Sequence, residues 1–445
     1  MVIAIYLLTA FQHWGNTDFF GNYSISFYSI EFVFMMLSIL IILSLLITVL
    51  STTDLWKTQA ILSEINHRFK RRIAVVLMMS QFSIVIVLIG FTILINKQMS
   101  FVENKDLGYN PDQVMIIKVP LRNNQVHVLR NELHVLSFVS SVSNVQHYPG
   151  YRLQDMNFNN SGSDFPFKFG FIDKYGLETL NIEVIEYFDV KESNATGGWY
   201  INERFYHQLL LTYSHEQIAN SEFPSDSEGE NEDEFVILGV MRDFHYASLH
   251  DPIESFAFHI AEEKSRYNRF LLVRYDATQE ENAIASILDK TNEIFPGQPI
   301  RYELMEEETA AKYQSENTLL KLINLFSFLS IIVACFGLIG LMVFISNQRT
   351  KEIGIRKVNG ASISEILNML NKEVMIWISI SFLVATPISY LLASRWLENF
   401  AFKTVISWWI FAAAGFIALV IGLVTVSWQS YRAAKRNPVE ALRYE

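Results

Sequence analysis

The side chains able to do chemistry do not fall into a familiar catalytic spacing. His215 and Glu216 would begin a zinc-protease helix, but that helix needs a second histidine one turn later, and none follows. The chain also lacks a Gly-x-x-x-x-Gly-Lys-Ser/Thr loop for a nucleotide phosphate and a Gly-x-Ser-x-Gly turn for a nucleophilic serine. These patterns predict a protein that is not an enzyme and that binds no cofactor or metal.

Three other polar groups have simpler interpretations than a reactive site. His127 and His134 fit one helical face, but two histidines seven residues apart are usually surface residues. The charged tetrapeptide 242–245 has no nucleophile or metal triad beside it, which favours a structural turn. The acidic segment 220–234 lacks the EF-hand spacing of carboxylates, so a solvated loop is predicted rather than a calcium site.

Composition limits the class of protein further. A chain of 445 residues is long enough for two or three structural units, and 51% of its residues are hydrophobic. Its net charge of -11 argues against a nucleic-acid partner. The single cysteine, Cys335, excludes an internal disulfide framework and lies in an apolar run, where a packing role is favoured.

Apolar runs long enough to cross a bilayer divide the chain. A spanning helix needs about 20 apolar residues. Runs of that kind occupy 27–50, 73–96, 319–345, 374–393 and 408–428. None of them has an acidic residue near its middle, which disfavours an ion-coupled transporter. Residues 1–11 are apolar but too short to span the bilayer, and they lack the basic start of a signal peptide.

Basic residues predict which ends of these spans face the cytoplasm. Lysine and arginine concentrate at 67–72, at 349–357 and at 432–443. By the positive-inside rule these three segments are cytoplasmic, including the C-terminus. The segment 97–317 must then lie on the opposite side of the membrane. It has no spanning run of its own.

Residues 97–317 have mixed periodicity. Alternation typical of strands is found at 114–119, 235–240 and 270–275, and helical spacing at 126–136 and 281–295. Strands and helices mixed over this length indicate an α+β domain. The predicted fold class is therefore an α-helical transmembrane bundle with a large extracytoplasmic α+β domain.

The basic segment between the third and fourth of these spans has a structured pattern. Residues 353–358 fit a short amphipathic helix, and Gly360 can end it because glycine tolerates the left-handed cap position. Ser362 and Glu365 have the spacing of a capping box that starts the next helix. The apolar face predicted for that helix consists of Ile363, Ile366, Leu367 and Leu370. Two interpretations stay open at this point: a charged loop that anchors two spans, and a lever moved by a cytoplasmic partner.

Several short stretches match a known family. In the C-terminal part they are Gln-Arg-Thr-Lys-Glu-Ile-Gly-Ile-Arg-Lys-Val at 348–358, Gly-Ala-Ser at 360–362 and the segment 433–443. Upstream they are 104–110, 149–150, 239–245, 248–252 and 295–297. From about residue 69 the chain resembles FtsX-like ABC transporter permeases, the group that includes MacB-type exporters and lipoprotein-releasing permeases. The versions found in Bacteroidetes-type bacteria are the most similar.

The resemblance implies a domain organisation. Residues 73–96 would be a transmembrane helix and 97–317 a MacB-type periplasmic core domain. Residues 318–445 would be an FtsX-like permease domain containing the last three spans. Residues 1–72 would be the remnant of a preceding module, with a partial span, the span 27–50 and a cytoplasmic linker. The chain would then be the C-terminal module of a tandem permease in the bacterial inner membrane.

The resemblance also implies partners and a mechanical role. A separate ABC ATPase subunit would hydrolyse ATP under the membrane and push on the helix in the basic loop. The residues expected to couple to it are Arg349, Lys351, Glu352, Ile353, Gly354, Ile355, Arg356, Lys357, Val358 and Gly360. Further partners would be the lipid bilayer, a second permease copy or paralogous module, and a periplasmic adaptor or cargo.

Two other classes of protein agree less well with the sequence. A membrane-anchored sensor or receptor would need a cytoplasmic output domain, and no cytoplasmic segment is long enough to form one. A periplasmic membrane enzyme is disfavoured by the missing catalytic patterns. The sequence leaves the cargo open among peptides, lipoproteins, macrolide-like drugs and no cargo at all, as in regulation of cell-wall hydrolases.

Overall fold

The fold comes from a computed structural model that describes residues 63–118, 125–151, 153–160, 163–189, 197–221, 223, 235–260 and 269–434. The predictions for residues 1–62, for most of the acidic segment 220–234 and for residues 435–445 lie outside this range. The described residues form two compact units. A helical unit contains 63–103, 315–399 and 403–434, and a second unit contains 104–314 together with 400–402.

Long helices lie at the two ends of the described chain, and short strands and helices lie between them. In order they are α1 (Ser63–Glu103), β1 (Val114–Lys118), α2 (Gln125–His134), β2 (Val139–Val145), β3 (Gln154–Asn160), β4 (Ser163–Ile172), α3 (Gly176–Leu180), β5 (Val184–Tyr187), β6 (Trp199–Asn202), α4 (Glu203–Leu209), α5 (His215–Ala219), β7 (Ile237–Met241), β8 (Phe256–Ile260), β9 (Phe270–Tyr275), α6 (Glu280–Ile294), β10 (Arg301–Leu304), α7 (Met305–Ala311), α8 (Gln314–Gln348), α9 (Thr350–Val358), α10 (Ile363–Leu397) and α11 (Trp408–Ala434).

Four helices of the described chain, α1, α8, α10 and α11, are long and apolar enough to cross a membrane. Their candidate spanning parts contain 25 to 35 residues, and a helix rises about 1.5 Å per residue, so each exceeds the roughly 30 Å of a hydrocarbon core. Four of the five predicted spans lie within these helices, and the fifth, 27–50, is not described. The helices extend beyond the apolar runs at one or both ends.

Close packing between α10 and α11 explains the glycines of the last span. A Cβ atom at Gly415 would lie 2.4 Å from Cδ2 of Phe382, and one at Gly422 would lie 2.3 Å from Cδ1 of Ile378. In lipid, where burial of apolar surface adds little, such close approach supplies much of the association between helices. A hydrogen bond from Ser381 Oγ to the carbonyl of Met79 (2.9 Å) links α10 to α1.

The second unit is built on a sheet of ten described strands with short helices packed on it. The strand order is β10-β1-β9-β2-β4-β8-β6-β7-β5, and β3 pairs with β4. The two halves of the sheet meet at β2 and β4 through a single pair, Val145 with Ile172. On the first half, α2 and α6 cover an aliphatic core, whereas the second half has a core rich in phenylalanine. The predicted fold class, a transmembrane helical bundle with a large α+β domain, is confirmed.

Burial of two histidines makes the stability of this unit depend on pH. Burial and the nearby Arg269 guanidinium lower the pKa of His147 to about 4, and burial and Lys105 lower the pKa of His245 to about 4. In the unfolded chain both imidazoles would protonate near their ordinary pKa of about 6.5. The unfolded state therefore binds protons first, and folding stability is lost as pH falls from about 6.5 towards 4.

We expect each histidine to remove about 2 kcal/mol of stability between pH 7 and pH 5. Amide hydrogen exchange of β2 and β9 in the full chain, corrected for the intrinsic exchange rate at each pH, measures this loss. The substitution His147→Gln should reduce the loss by about half, because His245 still contributes. An unchanged pH dependence in that variant would show that His147 is not the group responsible.

Candidate functional site

The short helix α9 lies between two membrane-length helices with almost no linker. Arg349 alone separates it from α8, and residues 359–362 separate it from α10. It ends as predicted, with Gly360 at a φ of +89°, where a residue with a side chain would be strained. The amides of Gly360 and Ala361 donate to the last free carbonyls of α9, those of Lys357 (3.1 Å) and Arg356 (2.9 Å).

The start of α10 has the predicted capping box. The amide of Glu365 donates to Ser362 Oγ (3.3 Å), and the amide of Ser362 donates to Glu365 Oε2 (3.1 Å). These two bonds satisfy amides that the first turn of a helix leaves without partners. The corner between α9 and α10 is therefore fixed by local hydrogen bonds at both of its ends.

One side of α9 is anchored in the helical unit. The side chain of Ile353 is 7% exposed and belongs to the buried core of the bundle, which also includes Ile345 and Ile366. Gly354 beside it is buried as well. The predicted apolar face of α10 is partly wrong: Ile366 and Leu370 are buried and Leu367 is half-buried, but Ile363 is exposed. Ile363 is the first residue of α10 and precedes the part of the helix that packs in the core.

The other side of α9 exposes apolar residues that a solvated helix would not need. Ile355 is 49% exposed and Val358 is 66% exposed. Charged residues surround this pair: Glu352 and Arg356 are exposed and form an ion pair with 2.9 Å between Oε1 and Nη2. We call Ile355 and Val358 the outer pair. Exposed apolar residues rimmed by charge are typical of a surface that contacts another protein.

An ion pair holds the joint between α8 and α9 to α10. The guanidinium of Arg349 donates to the carboxylate of Glu373, which lies in α10. Both side chains are mostly buried. The hydroxyl of Thr350 also donates to the carbonyl of Ser346 (3.0 Å) on α8. The position of α9 therefore depends on both neighbouring helices.

Reversing one charge of this pair should loosen α9. Arg349→Glu or Glu373→Arg places two like charges together and should cost about 2 kcal/mol, and the double exchange should recover part of the loss. Hydrogen exchange of the α9 amides in each variant gives the three energies of a double-mutant cycle. If the double exchange protects α9 no better than the single changes, the ion pair does not position the helix.

The charged tetrapeptide singled out in the sequence has a structural role. The tetrapeptide 242–245 is an irregular segment after β7 rather than the predicted turn. Phe244 is buried, and Asp243 Oδ1 accepts from the amide of Arg204 (3.0 Å) at the start of α4. Gly108, at a φ of +77°, packs against the backbone of this segment, where a Cβ would lie 2.6 Å from the carbonyl oxygen of Asp243. Within the described residues, no group of three or more His, Cys, Asp and Glu side chains could hold a metal.

The C-terminal helices match a known family. Residues 324–438 match the family model described as FtsX-like permease C-terminal, a range that includes α9, α10, α11 and most of α8. The relatives found in the sequence comparison are named as ABC transporter permeases and exporters. The uncharacterized ABC transporter permease YknZ of Bacillus subtilis is 30% identical over 141 residues, which cover 32% of this chain and 36% of YknZ.

The C-terminal part of the chain is therefore similar to FtsX-like and MacB-type ABC transporter permeases. The macrolide export ATP-binding/permease protein MacB of Bdellovibrio bacteriovorus is 33% identical over 145 residues, 32% of this chain and 22% of that protein. The chain thus spans about a third or less of the length of these curated relatives. Among solved structures, the periplasmic region of MacB from Actinobacillus actinomycetemcomitans is similar with a TM-score of 0.31 and 10% identity, over 46% of this chain and 94% of that one.

Sequence reasoning missed two features of this site. Glu373, the partner of Arg349, lies within the apolar pattern of a predicted span boundary and gives no signal by itself. The separation of α9 into a buried Ile353 and an exposed outer pair is also invisible in the sequence, because all three residues are aliphatic. Only the packing of α9 against the core decides which of them stays free.

Proposed function

We propose that this chain is the membrane-spanning subunit of an ABC transporter and that it transmits movement from a separate ATPase subunit. The observation that carries this is α9 itself. Its inner side is fixed by Ile353 and by the Arg349–Glu373 pair, and its outer pair stays exposed. A helix anchored firmly on one side and apolar on the other is suited to receive a partner and to pass on its displacement.

The short connections of α9 to α8 and α10 would pass its movement directly to those two helices. Because α9 joins α8 through one residue and α10 through four, a tilt of α9 must be absorbed by those two helices. The ATPase would favour one arrangement of the helices in its ATP-bound state and another in its nucleotide-free state. ATP hydrolysis would then shift the population of the two arrangements rather than perform chemistry in this chain.

The chain would lie in a bacterial inner membrane and act together with other proteins. The basic segments 67–72, 349–357 and 432–443 support a cytoplasmic position for α9 and the C-terminus, in a bacterial inner membrane, with the core domain 97–317 in the periplasm. The permease domain would comprise residues 318–445. A second permease copy or a paralogous module would complete the transporter, and an adaptor or cargo would bind outside. This chain would bind no cofactor and catalyse no reaction.

Purification of the full chain from its own membranes tests the proposal. We expect an ABC ATPase subunit to co-purify and ATP to be hydrolysed by the complex, but not by the chain alone. Single cysteines at Ser225 and Ser362, in a Cys335→Ser background, should react with an impermeant thiol reagent from outside only at position 225. A ligand response without any ATPase would instead support the receptor alternative, and the opposite labelling would reverse the topology.

A further inference from the structure

Three segments of the α+β unit lie where its chain continues into the helical unit. Within the α+β unit, the loop 245–250 contacts all three. The chain passes from one unit to the other after residue 103, after residue 314, and on both sides of the tripeptide 400–402. The loop connects β7 to β8, two neighbours of β6 inside the sheet. We call residues 245–250 the hub loop.

The tripeptide 400–402 binds the hub loop through its backbone and its rings. The amides of Ala401 and Phe402 donate to the carbonyls of His250 and Leu249, both at 3.2 Å. The Phe400 ring stacks on the His250 ring with 4.0 Å between centroids. The Phe402 ring meets the His245 ring edge-on at 4.4 Å. Phe400 is buried, so these are packed contacts rather than surface ones.

The other two crossing segments reach the same loop. Tyr313, one residue before α8, accepts a hydrogen bond at its hydroxyl from the amide of Leu249 (2.9 Å). Its ring also lies parallel to the His250 ring, at 6.3 Å between centroids. Shortly after α1, the carbonyl of Leu107 accepts from the amide of His245 (2.7 Å). Lys105 Nζ lies 5.9 Å from the centre of the Phe402 ring.

The hub loop is also tied to the sheet. Leu249 is fully buried. Phe244, the residue before the loop, packs face to face with Phe258 of β8, with 5.8 Å between centroids. A rigid connection of this kind carries a displacement of its contacts into the strands on either side, because packed interiors do not deform continuously.

We propose that the hub loop transmits movement from the three crossing segments into β7 and β8, and that the His250–Phe400 and His245–Phe402 contacts are its attachment points. This inference rests on the proposed function, which supplies the movement. The histidines here are positioning residues: they hold the tripeptide and meet no cargo or nucleotide.

Hydrogen exchange in the full chain, purified with the ATPase subunit that accompanies it, tests the proposal. In the unaltered chain, exchange of the β7 and β8 amides should differ between the ATP-bound and nucleotide-free complexes. Phe400→Ala with Phe402→Ala should reduce that difference about fivefold or more, while ATP hydrolysis continues. The matched control is Ala401→Ser, at the exposed residue between Phe400 and Phe402 in the sequence; it keeps the backbone amide and should behave like the unaltered chain.

Two outcomes overturn the proposal in distinguishable ways. If the double variant keeps the full nucleotide-dependent difference, the hub loop is not the route, and the proposed function is untouched. If no ATPase accompanies the unaltered chain, the proposed function fails and the hub loop with it.

A second variant tests the contacts without any ATPase and without removing a buried ring. Tyr313→Phe keeps the ring against His250 and removes the acceptor of the Leu249 amide, which should then exchange about tenfold faster in the purified chain. An unchanged exchange rate at Leu249 would mean that Tyr313 does not hold the hub loop, and the proposal would be overturned on its geometry.

Discussion

Replacing the outer pair by Ile355→Asp with Val358→Asp should separate ATP hydrolysis from movement while the chain stays folded and inserted. Both side chains are largely exposed, so the substitutions cost little folding free energy. In a complex they would place two charges in an apolar contact. Losing two buried aliphatic side chains weakens association by about 3 kcal/mol, and the desolvated charges add to this, so binding of the ATPase should fall by at least about a hundredfold.

Binding of the ATPase subunit to the full chain in nanodiscs measures this effect. The matched control is Ser364→Asp, an exposed position in the first turn of α10, where a negative charge is favourable. The control should bind like the unaltered chain. Equal binding by the double variant and the control would remove α9 from the coupling mechanism.

Replacing Ile353, only two residues from Ile355, should destabilise the folded protein rather than weaken ATPase binding alone. Ile353→Asp puts an unpaired carboxylate into the core of the helical unit, which should cost on the order of 4 kcal/mol or more. We expect a large loss of folded protein in detergent, measured by size-exclusion chromatography and thermal unfolding. Ile353→Val removes one methylene and should cost about 1 kcal/mol without affecting ATPase binding.

The contrast between neighbouring positions is the informative result. If Ile353→Asp gave a stable protein that merely lost coupling, Ile353 would face the partner rather than the core. The orientation of α9 described above would then be wrong.

Local signals in the sequence predicted the elements around the site well. The helix end at Gly360 and the capping box of Ser362 with Glu365 depend only on residues a few positions apart. The strand at 270–275 and the apolar lengths of four spans were likewise predictable, because periodicity and hydrophobicity are properties of a short window. The family resemblance added the C-terminal permease domain, for which residues 324–438 match the family model.

Contacts between distant residues could not be predicted. Arg349 and Glu373 meet across a helical corner, and Phe400 meets His250 across 150 positions of sequence. In the sheet, β1 pairs with β9 and β10, which come from the other end of the domain's sequence. No local pattern indicates this pairing. Ile363 was assigned to an apolar face by spacing alone, but whether such a residue is buried depends on what packs beside it.

Site-specific cross-linking at Val358 tests whether α9 contacts the ATPase subunit. A photoreactive phenylalanine analogue at this exposed position should cross-link the full chain to the ABC ATPase subunit, and the yield should change between ATP-bound and nucleotide-free conditions. The same analogue at Leu211, which is 85% exposed in the α+β unit, should not reach the ATPase. Absence of the ATPase product at Val358, or an equal yield at Leu211, would contradict the account.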